Sequence, residues 1–146
     1  MKDPYLKPVI FGGLFITILS IIFAPAIFIW AIVGGYVTVR LSHKITKEII
    51  SYFDGLVLGM FTGIIGGSCL DIFTIISFKD PENQRSLIRI LEKNWRHDLP
   101  IPNFKEMLPS IFIVTCIFII IIAVVFAVIG GYIGTVLSKK SKTINN

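Results

Sequence analysis

The sequence predicts an all-α integral membrane protein with three main transmembrane helices and a short amphipathic surface helix. Three observations carry that expectation. Apolar residues make up 54% of the chain against 16% charged, more than a soluble domain of 146 residues could bury. They come in blocks: residues 9–39 and 107–138 hold no charge, and residues 55–78 hold one, Asp71. Crossing a hydrocarbon core of ~30 Å takes about 20 apolar helical residues, so each block is long enough. Third, the one sizeable polar segment, residues 79–108, has the pattern of a helix with one apolar face.

The first expected span covers about residues 9–39. It exceeds a single upright helix, reaching roughly 46 Å at the helical rise. Pro25 is read as a kink in a retained span, although the preceding Lys2, Lys7 and "APA" mimic a cleaved leader. A second solution divides the block at Pro25 into a hairpin of two short helices, giving four membrane segments. The next span, residues 55–78, opens behind Asp54, an acid suited to a helix amino terminus. The third, residues 109–138, is expected to start at Pro109.

Between the last two spans, "DPENQRSLIRILEKNWRHDLP" offers Asp80 as N-cap, Pro81 at the first helical position and Glu82 in the first turn. Leu87, Ile88, Leu91 and Trp95 share a face, and Arg85, Arg89, Glu92, Lys93 and Arg96 lie elsewhere. A helix over residues 81–96 is expected on the membrane surface, with its tryptophan at the interface.

Two stretches nearly repeat. "AIVGGYVTVRLSHK" begins at Ala31 and "AVIGGYIGTVLSKK" at Ala127; seven of fourteen positions are identical and three more exchange Val and Ile. One clear crossing separates them, so both run in the same direction and end on the same face. Duplication explains this, and so does convergence on a useful helix ending: paired glycines, an interfacial tyrosine, then lysine at the head groups.

Packing residues dominate the candidate sites. Gly55, Gly59, Gly63 and Gly67 recur every four residues, a spacing that lets another helix approach closely. Gly130 and Gly134 repeat it, and Gly34 and Gly35 offer a third small surface. Asp71 is the one ionisable residue inside a span, and a carboxylate there is by default a candidate ion path, proton site or partner contact. Its structural alternative is a place near the head groups, because only about 10 Å of helix follow it.

Cys69 and Cys116 lie in apolar blocks and read as packing residues. His43 and His97 have no ligand-spaced partner, Trp30 reads as packing, and neither a metal nor a cofactor is expected. Catalytic signatures are missing, so no enzyme is expected. The net charge of +5 flanks the blocks, pointing to anionic lipid head groups and not to nucleic acid. With three spans the two faces carry eight and six Lys/Arg, and a fourth segment reverses that tally, so orientation stays open.

"FAPAIFIW", "AIVGGY", "DGLVLGMFTGIIGG" and "AVIGGYIGTVL" together resemble a group of small glycine-rich polytopic membrane proteins of bacteria and archaea without assigned function. The resemblance implies a multi-pass protein of the prokaryotic cytoplasmic membrane and brings no active site. The expected function is a non-enzymatic packing protein that self-associates through the glycine stripe or supports a larger membrane assembly. The alternative is a small ion or proton channel or transporter with Asp71 in the pathway.

Overall fold

The computed structural model describes residues 4–95 and 102–144, and among these residues it is all-helical. Five helices follow in order: α1 (Leu6–Ile22), α2 (Ile27–Thr46), α3 (Tyr52–Phe78), α4 (Pro81–Asn94) and α5 (Phe104–Ile144). Three segments are long and apolar enough to cross a membrane: Ala24–Thr46, Tyr52–Phe78 and Phe104–Lys139.

The first apolar block is not one bent rod. Helix α1 ends at Ile22, Phe23 leaves the helical region (φ −144°, ψ 80°), and a 3-10 turn over Ala24–Ala26 leads into α2. Pro25 sits inside that turn, where its missing N–H leaves no donor unmet. The chain then doubles back, so that Gly12 lies against Gly34 and the Thr38 hydroxyl is 3.3 Å from the Pro8 carbonyl. A single kinked span over residues 9–39 therefore gives way to the hairpin arrangement.

Two helix starts also shift. Helix α3 begins at Tyr52 with Ser51 as N-cap: the Asp54 N–H donates to Ser51 Oγ at 3.1 Å, and that hydroxyl donates to Asp54 Oδ2 at 2.7 Å. Asp54 is thus the third helical residue of a reciprocal cap, not the cap itself. Helix α5 starts at Phe104 and carries Pro109 inside it. In α4, Asp80 accepts from the Glu82 N–H at 3.0 Å and Pro81 is the first residue. The expected amphipathic helix extends to Arg96, and that residue, with His97, lies outside the described residues.

Packing gives the hairpins a common plan. Helices α1 and α2 run antiparallel, as do α3 and α5, whose glycine stripe meets Thr135, Ala127, Val124 and Ile120 in descending order. In the first pair, a Cβ on Gly12 would strike Thr38 Oγ1 and lie 2.9 Å from the Gly34 carbonyl oxygen. In the second, a Cβ on Gly55 would strike Thr135 Oγ1 and lie 3.1 Å from that of Gly131. Both threonines donate back to those same glycine carbonyls, at 2.9 and 3.1 Å. One packing unit, a glycine facing Gly-x-x-x-Thr, is used twice.

The repeated stretches meet each other. Helices α2 and α5 are parallel, with Gly35 against Ala127 and Gly131, Gly130 against Ile32, and Gly134 against Tyr36 and Val39. Helices α1 and α3 are also parallel, tied where Thr17 Oγ1 lies 3.1 Å from the Gly66 carbonyl. Each hairpin thus packs like helix on like helix, α1 on α3 and α2 on α5. Val9, Val39, Ile50 and Leu58 form one core cluster, and Ile16, Ala31 and Ala127 another. The buried Thr38 and Thr62 hydroxyls, 2.9 Å apart, bridge α2 and α3.

Candidate functional site: a carboxylate beyond the hairpin turn

Helix α3 continues for seven residues past Asp71, so the carboxylate is not at a frayed end. Asp71 follows Gly67 by one turn and shares the face turned to α5. It is 7% exposed. Cys116 of α5 is its neighbour across the seam, and Oδ1 has no hydrogen-bond partner among the described residues. A buried carboxylate oxygen without a donor is costly, which makes it a place where a proton or a cation would be stabilised.

The seam holding Asp71 is closed at both ends. On one side Gly67 packs against Ile120 and Ala123. On the other, Phe78 stacks on Phe112 with ring centroids 4.3 Å apart. Both ring residues belong to the parts of α3 and α5 that outreach the first hairpin.

Depth along the bundle follows from the Thr17–Gly66 contact. Phe23 lies six residues beyond Thr17, about 9 Å along the helix, which brings the hairpin turn level with Ile72 on parallel α3. The turn and Asp71 are therefore at one depth. Ser20, two residues before the end of α1, is 1% exposed, and its Oγ has no partner among the described residues either. The carboxy-terminal end of α1 also carries the negative end of a helix dipole to this level. At the turn itself the Phe23 carbonyl accepts from the Ala26 N–H at 3.2 Å and from Trp30 Nε1 at 3.3 Å. Trp30 thus helps satisfy the backbone of the turn.

The glycines singled out by spacing are all buried. Gly34 faces α1, Gly35 faces α5, and Gly55, Gly59, Gly63 and Gly67 face α5; Gly130 and Gly134 face α2. The α3 stripe is therefore occupied within the chain. Cys69 and Cys116 are both free thiols and half-buried. His43 Nδ1 lies 2.6 Å from the Glu48 carbonyl oxygen in the connection after α2. Among the described residues no three His, Cys, Asp or Glu side chains converge as metal ligands.

Cys116 was not legible as a partner of Asp71, since the two are far apart in sequence and no spacing rule joins them. A signal for α1 did exist: Gly12, Gly13, Thr17 and Ser20 form a small and hydroxylated stripe with helical spacing. That stripe is buried. Comparison of the chain with protein-family models, curated proteins and solved structures found no match.

Proposed function

We propose that this chain is a small, non-enzymatic, multi-pass membrane protein that binds a proton or a small cation at Asp71 and carries it through the bundle. The observation behind this reading is the buried Asp71 Oδ1 without a partner, level with the hairpin turn and the unpartnered Ser20 hydroxyl. The site lies within the α3–α5 seam of one chain.

The membrane arrangement we propose follows from helix reach. Ala24–Thr46 is long enough to cross, but its uncharged part from Ile27 to Arg40 covers only about 20 Å of a ~30 Å hydrocarbon core. From Asp54 to Lys79 α3 covers about 37 Å, enough to cross. No side chain between Ser20 and Trp30 carries a polar atom, and Ile21, Ile22 and Phe23 are exposed. These features support a re-entrant hairpin, α1–α2, that enters and leaves on one face while α3 and α5 cross completely. Helix α4 has no buried residue and would rest its Leu87, Ile88 and Leu91 face on the opposite head-group layer, its basic residues favouring anionic lipid. A prokaryotic cytoplasmic membrane belongs to the proposal through the resemblance of the apolar blocks.

The test is flux in liposomes containing purified protein, wild type beside Asp71→Asn, read with an internal pH dye and with cation-selective dyes. Flux by the wild type that falls to the protein-free level with the substitution is the expected result. No flux from folded wild type overturns the reading. It would leave the second one, a packing subunit of a larger assembly, which the exposed apolar surface of the outreaching helices (Ile76, Ile113, Ile117 and Phe118) favours.

A further inference from the structure

We infer that the groove between α1 and α3 is a lipid site for one acyl chain of an amine-headed phospholipid. The groove has a volume of about 440 Å³, within the range of small-ligand sites. Its walls are Val9 of α1 and the Val57, Phe61 and Ile65 stripe of α3, with Tyr5 and Asp54 at one end. This site is separate from the Asp71 seam, which faces α5.

Direction and length select the occupant. Helices α1 and α3 run parallel here, so the groove follows the bundle axis and therefore the membrane normal. From Asp54 to Ile65 it descends about 16 Å, a depth that suits an extended hydrocarbon chain entering from the head-group layer. Ile65 packs on Gly13 and closes the deep end, and above it Val57 and Phe61 hold α1 and α3 apart where packed helices elsewhere in this bundle meet through glycine or threonine. Such a surface holds a thin flexible chain better than the close approach of another helix backbone.

Charge selects the head group. The chain is formally +5, yet among the described residues the one charged side chain lining this groove is the carboxylate of Asp54. Among the described residues Ser51 Oγ donates to its Oδ2, and Asp54 is exposed, so the acid keeps a side open to a cation. A primary ammonium can donate to it, whereas an anionic head group without an amine would meet like charge. Tyr5 places a phenol at the same level, where tyrosines sit among head groups.

The experiment is native mass spectrometry of the full chain in mild detergent, titrated separately with phosphatidylethanolamine and phosphatidylglycerol of identical acyl chains. Wild type should bind one phosphatidylethanolamine with about tenfold preference, a difference of about 1.4 kcal/mol. Asp54→Asn, which keeps an acceptor for the Ser51 cap, should abolish that preference while retaining binding. Val57→Trp should fill the groove and remove the tight binding of both lipids. Equal binding of the two lipids by wild type, or an undiminished preference in Asp54→Asn, overturns the assignment. So does a wild-type dimer that Val57→Trp converts to monomer, since the groove would then hold a second copy. If Val57→Trp fails to fold, the wild-type and Asp54→Asn titrations still decide.

Discussion

Gly35 and Gly130 leave no room for a methyl group. A Cβ at Gly35 would strike the Ala127 carbonyl oxygen, and one at Gly130 the Ile32 carbonyl oxygen. The obstacle in each case is backbone, which cannot rotate away. Gly67 is different: its added Cβ would lie 3.1 Å from Ile120 Cα and 3.4 Å from Ala123 Cβ, a fit that a small helix shift accommodates. Alanine gains about 1 kcal/mol over glycine in helix propensity, while overpacking costs typically ~1–3 kcal/mol. Gly35→Ala and Gly130→Ala should therefore each destabilise the bundle by about 2 kcal/mol, and Gly67→Ala should change it by less than about 1 kcal/mol. Reversible unfolding in mixed micelles measures all three; equal effects at Gly67 and Gly130 would mean the helices are not held at these contacts. Spacing in the sequence marked these residues as packing positions, because a missing side chain every fourth residue has few other uses in a span. It did not tell intramolecular from intermolecular contact, since both present the same small surface. Gly59 is instructive here: with the Ala127 carbonyl against it, a leucine would unfold the chain before it could report on assembly.

At the scale of elements, the α1–α2 hairpin decides how the chain meets the membrane. A block of 31 uncharged residues is compatible with one long tilted helix or two short ones, and length alone cannot separate them. What separates them is the buried stripe of Gly12, Gly13, Ile16, Thr17 and Ser20, which needs neighbours on two sides. Helix α2 supplies one and α3 the other, an arrangement closed to a straight continuation. The turn suits an apolar setting because its Phe23 carbonyl is satisfied by Ala26 and Trp30 and Pro25 has no N–H to satisfy. We expect Ala24→Cys, in a background with Cys69→Ala and Cys116→Ser, to resist a membrane-impermeant maleimide applied from either side. Lys47→Cys and Glu82→Cys should react from opposite sides in the same background. Labelling of Ala24→Cys from the Glu82 side would show that the hairpin crosses completely.

Taken whole, the molecule gathers both ends of its bundle on one face. Tyr5 packs against the Val9, Val39, Ile50 and Leu58 cluster, and Gly55, at the start of α3, faces Thr135 near the end of α5. Tyr52 and Tyr132 lie 5.8 Å apart, and Lys139 sits 3.5 Å above the Tyr52 ring. Tyrosine and lysine at one level are the mark of a head-group layer. Under the proposed hairpin the sequence assigns eight of the fourteen Lys/Arg to this side and six to the α4 side, and from that small excess we predict a cytoplasmic position for both tails. A chain with three crossings would instead separate its tails. Reporter fusions active on only one side of the membrane distinguish the two: fusions before α1 and after α5 should report the cytoplasm, and one inserted between α3 and α4 the opposite side. Opposite signals from the two tails would overturn the hairpin, and with it the depth argument that brings the turn level with Asp71. Matching tails with loss of flux in Asp71→Asn would tie the paired hairpins to one task, two glycine-packed halves holding a carboxylate where only one of them reaches fully across.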